Sequence, residues 1–395
     1  MKPTRSVLIL LLVVGVGFSA GAQTLDLEFV APGIDLSDFF DQDDQDRLDD
    51  FLSEAGGPLD QLEDTINAED LGQYADLPLL AKAAANAGSA AAHLGTQRAF
   101  SDYRAFALVI GTGSSLAIPD VDPSYLERLQ EDVESSGDIY VGAAIQPVTA
   151  SLGINLSRLI PRTRADVKLG YANIPDGTIE EGLSFNALSV GVNANYQLLR
   201  SRQLPLGFVR WRGLTLASGF MYQRNETNLT VDIAEDSFNQ VLYADPDLSG
   251  DPNFNTDGSG NPIATLTVSP SVTVAMESKT YTIPLEATTG LRLLWLLDVN
   301  FGAGVDLVFG ESELVFGADA ALDVTEVNPD YVEDTSPGSV GFGVTNTEAP
   351  QFFRPRITGG VGVNLGPIKL DVPLMLYFDQ DGNTVMAGVN VGIVF

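Results

Sequence analysis

The sequence has no cysteine, one histidine (His93) and two tryptophans in 395 residues. Without cysteine it can form no disulfide framework, no thiolate metal site and no cysteine nucleophile. A single histidine leaves little basis for a histidine metal cluster. Positive charge is also scarce, because 21 Lys and Arg stand against 53 Asp and Glu, and the formal net charge is −32. This balance argues against a nucleic-acid binder, which needs Lys and Arg clustered on one face.

Residues 1–22 predict a secretory signal peptide. Lys2 and Arg5 precede an apolar stretch at residues 7–16, and Ala20-Gly21-Ala22 offers a small-residue cleavage site. A membrane anchor is the alternative, but the apolar stretch is shorter than the about 20 residues that a spanning helix needs. We therefore expect the mature chain to begin near Gln23, outside the cytoplasm.

Residues 23–100 form an acidic segment that we expect to be mostly helical. Up to Ala81 its only basic residue is Arg47. Apolar residues recur at helical spacing from Leu48 onward and again in the alanine-rich residues 79–94. We expect this segment either to form a small periplasmic domain or to plug a barrel. Its densest acidic run lacks the turn glycine and the final glutamate of an EF-hand loop, which favours a solvated face over a calcium site.

From residue 101 onward, apolar and polar residues alternate with period two, which predicts β-strands. In the last strand, residues 384–395, one face is continuously apolar and carries Val385, Ala387, Val389, Val391, Ile393 and Phe395. The opposite face is small and mixed. Residues 368–378, 298–309 and 185–198 show the same pattern.

Two architectures produce this alternation. A soluble sandwich buries the apolar faces, whereas a transmembrane barrel turns them toward lipid and keeps small polar faces in its lumen. The alternating runs are longer than the usual 5–6 residues of globular strands and match the about 9–11 residues of a membrane crossing. We therefore predict an all-β, antiparallel transmembrane barrel over residues 101–395, with about 12 strands and a range of 10–14. The predicted strands lie near residues 103–114, 139–157, 164–173, 185–198, 213–224, 276–291, 298–309, 313–325, 339–346, 353–365, 368–378 and 384–395.

The last strand also carries a family resemblance. With Phe395 at its end and Val389, Val391 and Ile393 on the same face, it resembles the C-terminal assembly signal of bacterial outer-membrane β-barrel proteins. The resemblance implies an outer membrane of Gram-negative type, surrounding lipid, and recognition of this strand by the barrel-assembly machinery. Trp211 and Trp295 fall in arginine-bearing connections on one side of the predicted barrel, where we expect an aromatic girdle at the lipid boundary.

The hairpin at residues 213–291 is longer than a bilayer crossing on both sides. It predicts a β-ribbon that projects outside the cell. Its tip, residues 245–262, begins like a calcium loop with Asp245 and Asp247, but Thr256 stands where the loop needs Glu. We expect an exposed turn there and no metal.

No phosphate-binding loop and no His-Glu-x-x-His motif is present. A Ser–His hydrolase would need the helix of His93 to enter the barrel with a serine beside it, so we predict no enzymatic activity and no cofactor. We expect His93 to be an ordinary helix-surface or packing residue. One functional hypothesis is a porin-like passive channel or uptake protein for small solutes or hydrophobic compounds, with residues 23–100 as plug. That order resembles long-chain fatty-acid transport channels in arrangement only. The alternative is a structural or surface-interaction, adhesin-like protein without transport activity.

Overall fold

The computed structural model describes residues 23–36, 42–54, 77–95, 103–119, 143–178, 181–205, 207–232, 238–246, 252–255, 258 and 260–395. The predicted signal peptide lies outside these ranges. Within them the chain forms two helices, α1 (Gln42–Glu54) and α2 (Leu77–Ala91). Both coincide with the predicted helical spacing. Neither helix in this described part of the chain is long and apolar enough to cross a membrane.

The remaining elements are strands. They are β1 (Gln23–Val30), β2 (Gly33–Leu36), β3 (Phe106–Pro119), β4 (Ala143–Asn155), β5 (Thr163–Ile174), β6 (Leu183–Leu199), β7 (Arg202–Gln203), β8 (Val209–Asp232), β9 (Phe238–Pro246), β10 (Pro252–Asn255), β11 (Asn261–Leu293), β12 (Leu297–Thr325), β13 (Val332–Ser336), β14 (Gly338–Glu348), β15 (Phe353–Leu365), β16 (Ile368–Asp379) and β17 (Gly382–Val394). The segment at residues 23–100, expected to be mostly helical, therefore also contains β1 and β2.

Ten strands form a ring by antiparallel pairing. In spatial order they are β3, β4, β5, β6, β8, β11, β12, β15, β16 and β17, and β17 pairs with β3 to complete the ring. We call the end where β3 begins and the chain stops the terminal end of the ring, and the opposite end the distal end. The ring confirms, at the level of fold class, the resemblance to outer-membrane β-barrels, although the expected count of 12 strands is not confirmed.

The difference in count has a local cause. Gly310-Glu311-Ser312 was expected to be a turn between two crossings, but β12 runs straight through it and Gly310 pairs with Thr280. Gly310 has a φ of 136°, which a residue without Cβ tolerates inside a strand. In addition, residues 339–346 belong to β14, which pairs with β1 and the distal half of β12 and is not part of the ring.

The distal end carries a second structural unit. β11 and β12 are 33 and 29 residues long, whereas β15, β16 and β17 have 13, 12 and 13 residues. Their extra length continues their pairing with each other and adds pairs with β9 and β14, which lie outside the ring. We call the distal domain the set β1, β2, α1, β9, β10, β13 and β14 with residues 261–278 and 311–325. The long predicted hairpin is thus widened into a sheet with the order β1-β14-β12-β11-β9-β10.

The distal domain has a hydrophobic core of its own. Leu48 and Leu52 lie four residues apart on one face of α1 and are buried against the sheet. The Gln45 side chain holds the helix to β2, because it accepts from the Leu36 N–H at 2.8 Å and donates to the Ile34 carbonyl at 2.9 Å. The core consists of Ile34, Leu36, Leu48, Leu52, Leu242, Phe254, Ile263, Ala264 and Val332.

Helix α2 lies inside the ring. Near its N-terminus, Lys82 forms an ion pair with Asp381 in the turn between β16 and β17, at the distal end. One turn further, the Ser115 hydroxyl of β3 donates to the Ala87 carbonyl at 2.6 Å. Beyond its C-terminus, the Leu94 side chain reaches the wall, and a Cβ added at Gly388 would lie 2.2 Å from it. Glycines in the wall therefore make room for the helix.

Candidate functional site

The outward face of the ring is apolar on every strand. Alternate side chains of β17 point outward, and Val389, Val391, Ile393 and Phe395 are exposed at 45%, 46%, 40% and 56%. Their in-between neighbours, such as Met386 and Asn390, are buried on the inward side. Exposure of so many large apolar groups is unfavourable in water. The other exposed members of this apolar band include Leu108, Ile110, Val167, Leu169, Val192, Leu216, Leu285, Phe301, Ile357, Val361, Leu370 and Leu374.

The apolar band ends sharply toward the distal end. Tyr281 lies opposite both Tyr222 and Phe309, and these three mark the last apolar row on β8, β11 and β12. Two residues further along each strand, the outward row is charged and contains Arg224, Lys279 and Glu311. A change from an aromatic row to a charged row at the next outward position is typical of the boundary of a membrane-facing band.

Aromatic side chains concentrate at both boundaries of the band. At the distal boundary the rings of Tyr222 and Tyr281 are 5.0 Å apart, and those of Phe309 and Phe352 are 5.2 Å apart. At the terminal boundary Phe106 stacks on Phe395 at 4.6 Å, which joins the first strand of the ring to the chain's last residue. Sequence reasoning considered only the tryptophans for a girdle, although Tyr and Phe at strand ends with the same parity carried the signal.

The two tryptophans both lie at the terminal end. Trp295 is 77% exposed in the three-residue turn between β11 and β12, where Leu294 and Trp295 have φ values of 50° and 57°. Trp211 is half-buried on the outward side, and its Nε1 donates to the Thr289 hydroxyl at 2.8 Å. Their membrane-girdle role, like the assembly-signal role of the last strand, stays a prediction.

Inside the ring, Arg354 of β15 fixes helix α2 to the wall. Its Nε and Nη2 donate to the two carboxylate oxygens of Asp379 at 2.8 and 2.7 Å, and Nη2 also reaches the Thr384 hydroxyl at 2.8 Å. Its Nη1 donates to the Asn86 carbonyl at 2.6 Å and to the Ser89 hydroxyl, both on α2. A fully buried guanidinium thus bridges two wall strands and the helix with charge-assisted bonds.

Asp306 of β12 is the centre of a second buried network. His93 Nε2 lies 2.6 Å from one carboxylate oxygen, and the Tyr377 hydroxyl donates to the same oxygen at 2.9 Å. Arg356 Nε donates to the other oxygen at 3.0 Å, and its Nη1 donates to Glu286 at 2.5 Å. Of the two roles expected for His93, on the helix surface or in packing, its burial against a wall carboxylate fits the second.

Further contacts close the lumen toward the terminal end. Lys168 of β5 donates to the carbonyls of Ala92 and Leu94, the second at 3.0 Å, and so caps the C-terminal end of α2. Below it, Asp298 accepts two bonds of 2.8 Å from Arg292 and one of 2.7 Å from Asn364. A cavity of about 40 Å³ near this end is lined by Arg212, Thr288, Asn300 and Asp371, among others. It has room for two or three water molecules and no organic solute.

Ser89 and His93 are the residues that a Ser–His arrangement inside the ring would use. The Ser89 hydroxyl donates to the Asn86 carbonyl and accepts from Arg354, and both Ser89 and His93 are fully buried. Asp247 and Thr256 of the calcium-like loop, together with residues 248–251, lie outside the described residues. In the described part of the chain, no group of three or more His, Asp or Glu is arranged to hold a metal ion.

Among solved structures, the chain is similar to the CymD monoaromatic hydrocarbon channel, with 11% identity, a TM-score of 0.25, and coverage of 80% of this chain and 97% of that one. It is also similar to the translocator domain of the autotransporter NalP from Neisseria meningitidis, with 10% identity, a TM-score of 0.29, and coverage of 79% and 99%. A third is the Acinetobacter baumannii outer membrane protein Omp33, with 10% identity, a TM-score of 0.24, and coverage of 74% and 98%.

TM-scores this low support no functional transfer. No curated protein matches the sequence. A family model described as Lsa36-like matches residues 39–395, which include nearly all of the distal domain, the lumenal helix and the complete ring. The chain belongs to the Lsa36-like family.

Proposed function

We propose that the protein is an outer-membrane β-barrel whose lumen is a passive channel closed by helix α2. The observation that carries the proposal is the combination of an apolar outward band with a polar interior occupied by a separate helix. The ring strands of 12 or 13 residues suit tilted crossings of a hydrocarbon layer. Contact of the apolar outward face with water is unfavourable, whereas contact with lipid is favourable.

Closure by α2 is separable from the ring itself. The backbone bonds of the ring are made between neighbouring strands, whereas α2 is attached through side chains such as Arg354, Lys168 and Ser115. Its buried alanines add a flat, small contact surface. Withdrawal of the helix would leave a lumen lined by charged and amide groups, which favours small hydrophilic solutes over hydrophobic ones.

Planar-bilayer conductance of the purified protein tests the channel. We expect rare openings for the native chain and a much higher open probability for Arg354→Ala, which loses the bridge to Asn86 and Ser89. Arg292→Ala is the matched control, because Arg292 makes an equivalent two-bond pair with Asp298 but does not touch α2. Heat-dependent gel migration verifies that each variant keeps the ring. Silence of a correctly folded Arg354→Ala variant would contradict the channel.

A second candidate is a surface-interaction protein without transport. The distal domain favours it, because this unit has its own core and contributes nothing to closing the ring. Cells that display the native chain would then bind an envelope or host partner, and cells with Leu48→Asp, which disrupts the distal core, would not. A bilayer that stays silent for Arg354→Ala, together with such binding, would select this candidate over the channel.

A further inference from the structure

The path of the chain through the ring is unusual for a plug. Strands β1 and β2 and helix α1 are built into the distal domain, and Lys82 of α2 is still at the distal end. Gly95 lies inside the lumen, where its N–H donates to Asn390 at 3.2 Å. At the terminal end, the Arg104 N–H donates to the Phe395 carbonyl at 2.9 Å. Residues 23–36 and 42–54 therefore lie beyond one mouth of the ring, and the first ring strand starts at the other.

The two mouths differ in their connections. At the terminal end, β15 and β16 are joined by Gly366-Pro367, and β11 and β12 by residues 294–296. The distal end carries the distal domain. In single-chain bacterial barrels the short turns face the periplasm and the long connections face outward. With the outer-membrane placement proposed above, on which this inference rests, residues 23–54 lie outside the cell.

We propose that the protein displays its own N-terminal segment on the cell surface, and that this segment gets there through the lumen of its own ring. A secreted chain starts in the periplasm, so residues 23–54 must cross the membrane. Asp43, Asp46 and Asp49 are exposed charges on α1, and charged groups cannot pass through the apolar band without a large cost. The polar lumen that α2 still occupies is the route compatible with these charges.

The segment is suited to pass as an unfolded chain. Its apolar residues Ile34, Leu36, Leu48 and Leu52 complete their core with residues from much later in the sequence, such as Leu242 and Ile263. Strand β1 needs β14, and β2 needs β13, for their backbone bonds. Before passage, the segment therefore has no partner to fold on. After passage, folding onto the distal sheet removes the unfolded chain from the lumen mouth and makes passage irreversible.

The charges of the segment and of the terminal mouth also favour entry of the segment at this mouth. The terminal mouth is surrounded by exposed arginines, whereas the entering segment is strongly acidic. Attraction of the segment to this mouth raises its local concentration at the entrance. The exposed arginines are Arg104, Arg158, Arg200, Arg202 and Arg210.

Cysteine labelling tests the display, because the chain has no cysteine of its own. Ser53→Cys places a thiol on the exposed side of α1, and Ser157→Cys places one in an exposed turn at the terminal end. With a membrane-impermeant maleimide, we expect Ser53→Cys to react in intact cells and Ser157→Cys only after permeabilisation. Reaction of Ser53→Cys only after permeabilisation overturns the display. Recovery of both variants in the soluble fraction refutes the outer-membrane placement instead, and so separates the two failures.

A fusion tests the route. A small disulfide-closed domain with an epitope tag is placed between the signal peptide and Gln23 of the full chain, and the control has serine in place of both fused cysteines. The closed domain is too wide for a lumen that α2 fills, so we expect its epitope to stay near background on intact cells and the serine control to reach the surface. Equal surface epitope for both fusions, in rings that migrate normally, overturns passage through the lumen.

Discussion

The ring and the distal domain share two long strands, β11 and β12, but the apolar side chains lie on opposite faces of these strands in the two units. Along β12 the odd-numbered residues point outward throughout, and in the ring they are apolar, as at Phe301 and Phe309. Beyond Gly310 the outward residues include the acidic Glu311, Glu313, Asp319 and Asp323, while Leu314 and Leu322 are buried on the inward side. The alternation does not change, but the apolar face does. A strand's period therefore reports its geometry, and the identity of its apolar face reports its solvent.

The interiors differ in the same way. The ring is filled by paired charges, amides and a helix of small residues, whereas the distal domain is filled by aliphatic side chains. Buried charges are tolerated only when every partner is present. Side-chain loss should therefore act differently in the two units.

The largest expected effect is in the ring interior. Asp306→Ala leaves Arg356, His93 and Tyr377 without their common acceptor, and removal of one partner from a buried ion pair costs about 3–5 kcal/mol. Urea unfolding of the reconstituted protein measures the loss of unfolding free energy. Asp323→Ala, at an exposed position of the same strand, is the control and should stay within about 0.5 kcal/mol. A loss below about 1 kcal/mol for Asp306→Ala would contradict the assigned network.

A substitution in the distal core should lower the unfolding free energy by a similar amount, but only the distal domain should be affected. Leu48→Ala removes a fully buried side chain, and substitutions of this kind cost about 2–5 kcal/mol. Limited proteolysis should cut the distal domain of this variant faster, while heat-dependent migration of the ring is unchanged. Asp49→Ala, on the exposed side of the same helix, should match the native chain. Loss of ring migration in Leu48→Ala would mean that the two units do not fold separately.

The outward and inward faces of the strands could be predicted from the sequence, but the pairing between strands could not. The parity of Val389, Val391, Ile393 and Phe395 matches their exposure, because the side-chain period depends only on local backbone geometry. The strand count depended on whether Gly310 ends a strand. That is decided by pairing with Thr280, which the local sequence does not encode.

The interior network was missed for a related reason. His93 and Asp306 are 213 positions apart, and Arg356 and Glu286 are 70 apart, so no motif spacing joins them. A signal was nevertheless present. Asp306, Arg354 and Arg356 are charged residues on the inward face of strands whose outward face is apolar. Charges at such positions indicate a partner across the lumen, although the partner is found only when the ring is known.

A charge introduced into the apolar band of the ring should have an intermediate effect on stability, larger than that of the same charge on the outward face of the distal sheet. Ile357 is 49% exposed near the middle of the band, opposite Ala303. Arginine at the midplane of a barrel's lipid face costs about 2–4 kcal/mol. Ile357→Arg should therefore lower the unfolding free energy in lipid bilayers, whereas Asp319→Arg, outward on the distal part of β12, should be near neutral. Equal effects of the two variants would mean that the band does not face lipid.

The smallest expected effect concerns Trp295. It distinguishes relief of backbone strain in the turn from loss of an aromatic anchor at the boundary of the band. Leu294 and Trp295 both adopt positive φ, which costs about 1–2 kcal/mol for a residue with a Cβ. Trp295→Gly and Leu294→Gly should therefore relieve similar backbone strain in detergent, and both should be neutral or stabilising there. In bilayers only Trp295→Gly loses an interfacial aromatic ring, so its unfolding free energy should fall below that of Leu294→Gly. Since the two positions share one turn, an identical response of both variants in bilayers would mean that Trp295 is not an anchor at the terminal boundary of the band.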